Sequence, residues 1–143
     1  MSAAIYGAFV FTVALLVTTA YFLMGGLPLL ILKHDVPLDA RFVRGFFNVY
    51  YRAAFWTSGG ACLSFALWGQ FAFALGAAGI SAVTVLLRSK LLTAMARLGE
   101  QIEASEAAAI SRFRQVHALA LSVNLVQLGV VVWGVLLLSR QMS

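Results

Sequence analysis

No aspartate or glutamate occurs between Asp39 and Glu100, so the middle of the chain carries only positive charge. That gap argues against a dinuclear carboxylate centre of the helical-bundle kind, which needs acids projecting from several helices. Charge of either sign is scarce: 10% of residues are charged, against about 25% in a typical soluble domain. One cysteine, Cys62, excludes an internal disulfide, and its position in an apolar run suits a packing residue. CxxC, GxGxxG, P-loop and Ser-His-Asp patterns are also missing, so nothing supports nucleotide chemistry.

What the chain does have is apolar surface. Of its 143 residues 62% are hydrophobic, and the mean hydropathy is +0.94. Such a polypeptide would not stay soluble as a monomer, which predicts an all-α integral membrane protein. The length leaves room for a single integral-membrane domain, residues 1–143.

A helical span needs about 20 apolar residues. The charge-free stretch from Ala4 to Leu32 supplies more than one upright span requires, so tilt or a bend at "GGLP" (Gly25 to Pro28) is expected. This first apolar run lacks a basic leader and is too long for a signal-peptide core, so it reads as a retained transmembrane helix. The next charge-free stretch, Ala53 to Leu87, must turn back, and "WGQ" (Trp68 to Gln70) suits an interfacial turn. The reading is a four-transmembrane-helix bundle with spans at about 5–32, 45–68, 71–92 and 116–138. Helices three and four are expected to continue beyond the bilayer as a hairpin, turning near Gly99 to Ser105.

All the basic residues except Arg140 lie on the side reached after helix one. The positive-inside rule makes that side cytoplasmic, leaves both termini on the non-cytoplasmic side, and suits a bacterial inner membrane. The formal charge of +5 then reflects topology and contact with anionic headgroups rather than nucleic-acid binding. Glu100, Glu103 and Glu106 read as a solvated row paired with Arg97, Arg112 and Arg114.

Helix four breaks its own apolar pattern. Phe113, His117, Ala120, Asn124, Gln127, Val131 and Gly134 follow steps of four and three and share one stripe, opposite the aliphatic Leu119, Val123, Val130 and Leu137. Lipid offers polar groups no partners, so the stripe should face the bundle interior or another subunit. Interhelical amide hydrogen bonds are the plain explanation for Asn124 and Gln127. In helix two, Asn48 and Arg52 share a face with Tyr51 beside them, at about the depth of His117 and His34. A polar pocket near the cytoplasmic leaflet, drawn from helices one, two and four, would accept a headgroup, a quinone ring or a carboxylate. His34 and His117 are also the only histidines, and two imidazoles from different helices could ligate a haem, although His34 lies in the polar connector "LKHDVPLD".

With four spans and "FRQVHALALSVNLVQL" in place, the chain resembles a family of small four-helix membrane proteins that includes the cisplatin-resistance-associated transmembrane protein of animals. The resemblance lies in "GGLP", in "GFFNVYYR" (Gly45 to Arg52), and in Phe113, His117 and Asn124 of the last helix. It implies that the stripe in helix four matters, and the family has no settled enzymatic activity to carry over. The four-helix membrane glutathione transferases are of similar length, but the carboxylate they carry in helix two has no counterpart here.

These readings converge on a non-enzymatic inner-membrane protein with no catalytic residues and no metal. It would act as an accessory, scaffold or small-hydrophobic-ligand-binding subunit among membrane lipids, other membrane subunits or copies of itself. The alternative is a small membrane oxidoreductase in which His117, with Tyr51 or His34, supports a haem or a quinone.

Overall fold

The computed structural model describes residues 3–142, which form four α-helices: α1 Ala3–Leu29, α2 Pro37–Trp68, α3 Phe71–Glu103 and α4 Ala107–Met142. Each helix packs against the next and α4 closes against α1, giving an up-and-down ring. At 1.5 Å per residue the 27 residues of α1 span about 40 Å and the 36 of α4 about 54 Å, against roughly 30 Å of bilayer hydrocarbon.

The turns follow from local chemistry. Gly69 ends α2 at φ 83°, a conformation that costs glycine little. Its N–H donates to the Ala66 carbonyl and that of Gln70 to the Phe65 carbonyl, the paired bonds of a Schellman motif. The turn at 104–106 repeats the motif with Ser105 at φ 63°: Ser105 N–H donates to Ile102 and Glu106 N–H to Gln101. The expected hairpin of α3 and α4 is present, as one unbroken helix on each side of that turn.

Two boundaries depart from expectation. Helix α1 stops at Leu29 rather than near Leu32, one residue after Pro28, and the chain tightens through i to i−3 bonds at Leu30, Ile31 and Leu32. Helix α2 begins at Pro37, eight residues before the expected start at Gly45. Pro37 sits at N1, where its missing N–H is no loss, and Asp39 meets the positive end of the helix dipole. The segment expected as a connector is therefore mostly helix. Its Arg41 pairs with Glu103 of α3, a carboxylate expected to pair with Arg97, Arg112 or Arg114. Both partners are exposed, so the pair is worth at most about 1 kcal/mol.

Helices α1, α3 and α4 are long and apolar enough to cross a membrane, and they mark an integral membrane protein. Large apolar side chains such as Tyr21, Met24, Leu63, Leu75, Val126 and Trp133 stay exposed on all four helices, far beyond what a monomer in water tolerates. Helix α2 differs: Arg41, Arg44 and Arg52 occupy its first half, and its second half mixes glycines and hydroxyls with apolar residues.

The core is layered. Towards the 30–36 and 104–106 connections it is aromatic and bulky, built on Phe47, Tyr50, Tyr51, Met95 and Phe113. Towards the 69–70 turn it thins to Ala8, Ala61, Phe65, Ala74 and Ala77. There α1 and α2 approach closely: a Cβ on Gly60 would lie 2.5 Å from the Phe11 ring. The small-xxx-small pair Gly60 and Ser64 thus serves packing within the chain.

Candidate functional site

The polar stripe of α4 faces inward. Phe113, His117, Ala120, Asn124, Gln127 and Val131 are all buried, while Leu119, Val130 and Leu137 on the opposite side are exposed. The hydrogen bonds expected of the amides are not made. Asn124 is 0% exposed and Gln127 6%, yet neither the nitrogen nor the oxygen of either amide has a hydrogen-bond partner among the described residues.

The structure divides the expected pocket into two. On one side of Phe47, His34 and His117 meet inside the bundle, both 0% exposed, with His34 Nε2 3.4 Å from His117 Nδ1. The rings meet edge to face, with centroids 5.5 Å apart. Phe113 packs against His34 and Phe47 lies edge-on to His117. One nitrogen must donate and the other accept, so a single proton lies between the rings. Two imidazoles in direct contact leave no room for a macrocycle between them, and ligation of a haem by both would require them to part. Among the described residues no three histidine, cysteine or acidic side chains cluster as a metal site would need.

His34 holds an unusual backbone for a buried side chain, φ 57°, in the left-handed region that histidine tolerates better than most residues. That twist tucks the connector beneath the bundle, and Arg114 Nη2 fastens it by donating to the Leu30 carbonyl at 3.4 Å. Burial lowers the pKa of His34 below its usual value. The Leu32 backbone opposes this, the Arg114 charge reinforces it, and Asp39 and Asp35 oppose it more weakly.

On the other side, α2 and α3 enclose a groove of about 620 Å³. Tyr51, Arg52 and Trp56 line it from α2, and Thr84, Arg88 and Thr93 from α3. Tyr51 is fully buried, its ring stacked on Phe47, and Thr84 is 1% exposed. Neither hydroxyl has a hydrogen-bond partner among the described residues. Arg88 Nε donates to Asn48 Oδ1 at 3.2 Å, which fixes the guanidinium at the rim beside the exposed Arg52.

Asn48, Tyr51 and Arg52 therefore belong with α3, while His34 and His117 form a separate enclosed pair. The reason is helical geometry: neighbouring positions 47 and 48 point about 100° apart, so Phe47 fills the interior while Asn48 turns to α3. Thr84 and Arg88 were missed by sequence reasoning. Their spacing of four, facing Asn48 and Arg52 at the same spacing, was the available signal. Counting outward from the 104–106 turn, Thr84 lies at the depth of Asn124 and Gln127, so these three unpartnered groups share one layer of the bundle.

No family model, curated protein or solved structure matches the chain.

Proposed function

We propose that the chain is a four-span, non-enzymatic protein of a bacterial inner membrane that binds a small amphipathic molecule in the groove between α2 and α3, as an accessory or scaffold subunit of a membrane assembly. The likeness to the cisplatin-resistance-associated family, carried by Gly25 to Pro28, Gly45 to Arg52, Phe113, His117 and Asn124, fits such a role. A fourth span is supported by the antiparallel packing of α2 between α1 and α3 along its length. The end of the bundle that holds the 30–36 and 104–106 connections, towards which most of the basic residues lie, then faces the cytoplasm, with the termini outside.

The observation that carries the reading is the pair of buried hydroxyls of Tyr51 and Thr84, left without protein partners on two residues that line a 620 Å³ groove. A buried hydroxyl without a hydrogen bond costs on the order of 1–3 kcal/mol. A ligand oxygen seated there offsets that cost, and the groove volume lies within the roughly 300–1,000 Å³ range of small-molecule sites. Native mass spectrometry of protein released from membranes in mild detergent tests this. The wild type should carry a retained small molecule that Tyr51→Phe/Thr84→Val loses while staying folded; a bare wild-type protein would contradict the reading.

The buried contact of His34 with His117 favours a second reading, a small oxidoreductase that uses a quinone near the cytoplasmic leaflet, or a haem once the two rings part. An absorption band of haem or flavin in the same purified sample would favour it over the first.

A further inference from the structure

We infer that the α2–α3 groove is an anion site that takes a phosphate group, with Arg52 and Arg88 as its two cationic ligands. The inference rests on the ligand-binding reading above and names the chemistry of the ligand. Both guanidiniums line the same groove. Neither forms an ion pair: among the described residues the one salt bridge joins Arg41 to Glu103. Along α2, Asp39 lies about 20 Å from Arg52, and along α3 Glu100 lies about 18 Å from Arg88, so no carboxylate of their own helices neutralises the rim. Two uncompensated positive charges facing one opening call for an anion that can accept several hydrogen bonds, and guanidiniums match phosphate oxygens in geometry. The Asn48 bond occupies only Nε of Arg88 and leaves its terminal nitrogens free to point into the groove.

Depth names the source. Arg52 lies 16 residues from Trp68 and Arg88 17 from Phe71, so both sit about 25 Å from the 69–70 turn, near the far edge of a bilayer whose near edge meets that turn. A phosphodiester headgroup there would rest on Arg52 and Arg88. Its ester oxygens would face the buried Tyr51 and Thr84 hydroxyls, and an acyl chain would run along the exposed Trp56 and Val85. An anionic phospholipid fits all three parts of the groove. Inorganic phosphate fits only the first.

Trp56 lies in the groove and provides a reporter. The full chain with Trp68→Phe/Trp133→Phe, reconstituted in phosphatidylcholine vesicles, is titrated with brominated phosphatidylglycerol or brominated phosphatidylcholine. A protein keeping only Trp133 reports contact with bulk lipid. Phosphatidylglycerol should quench Trp56 more than phosphatidylcholine at equal mole fraction. Each arginine removed in Arg52→Gln/Arg88→Gln should weaken that preference roughly fivefold, and Arg52→Lys/Arg88→Lys, which keeps the charge without the planar fork, should fall between the two. Reversal of the quenching by millimolar inorganic phosphate, but not by chloride at equal ionic strength, would support the phosphate site and assign it to the free ion. Equal excess quenching by both lipids, unchanged in the glutamine variant and lost in Tyr51→Phe/Thr84→Val, would overturn the anion inference and leave the ligand site standing. If neither lipid quenches Trp56 beyond the Trp133 level and phosphate has no effect, both readings fall.

Discussion

Replacing Asn124 with leucine should stabilise the protein, and the sign of the effect is the point. Leucine has the same branching as asparagine, so its two δ carbons stand where the amide oxygen and nitrogen now lie. Those two atoms are buried in a residue that is 0% exposed, and neither is hydrogen-bonded to protein. Burying an amide without partners costs roughly 1–3 kcal/mol in mutational series. Part of the recovered energy goes to refitting the side chain, since overpacked cores also destabilise. A net gain of about 1 kcal/mol is expected. Had the amide been an interhelical hydrogen bond, its removal would instead cost about 0.6–2 kcal/mol. Reversible unfolding in mixed micelles, followed by circular dichroism against the fraction of denaturing detergent, separates the two outcomes. A loss of stability in Asn124→Leu would refute the reasoning. Gln127→Leu should move the same way, because its amide is buried and unpartnered too.

Further outcomes follow from the same physics. The pKa of His34 is lowered in the folded protein, so its neutral form contributes stability that is present above the unfolded value near 6.5 and is lost as pH falls below it. The unfolding midpoint should therefore drop between pH 7 and pH 5, and His34→Asn, which keeps tolerance for a left-handed backbone, should flatten that slope. Ser105→Gly should raise stability by about 0.5–1 kcal/mol, since φ 63° strains serine and not glycine; an unchanged midpoint would count against the assigned turn. Gly60→Ala should cost about 1–3 kcal/mol by driving a methyl into the Phe11 ring, read from the same detergent titration.

Much of the architecture was legible because lipid and water impose simple rules. Charge-free runs located the helices, Gly69 marked a turn, and steps of four and three in α4 identified its buried face. The early start of α2 was hidden by polar residues around Pro37, although proline at a first helical position is itself a start signal. The burial of His34 had no local signature at all. Its neighbours Lys33 and Asp35 are exposed, and only the contact with His117, eighty-three positions away, makes that connector part of the interior. The groove was half visible. Asn48, Tyr51 and Arg52 stood out as an unusual group, but assigning them to the histidines required knowing which neighbour they face. Sequence periodicity gives the face of one helix and leaves its partner open.

The ligand in the α2–α3 groove is tested most directly inside native membranes. A photoreactive phenylalanine analogue placed at Val85, irradiated before extraction, should give the intact chain one small-molecule adduct, and Tyr51→Phe/Thr84→Val should abolish it. Cross-linking to another polypeptide, or to nothing, would contradict the account.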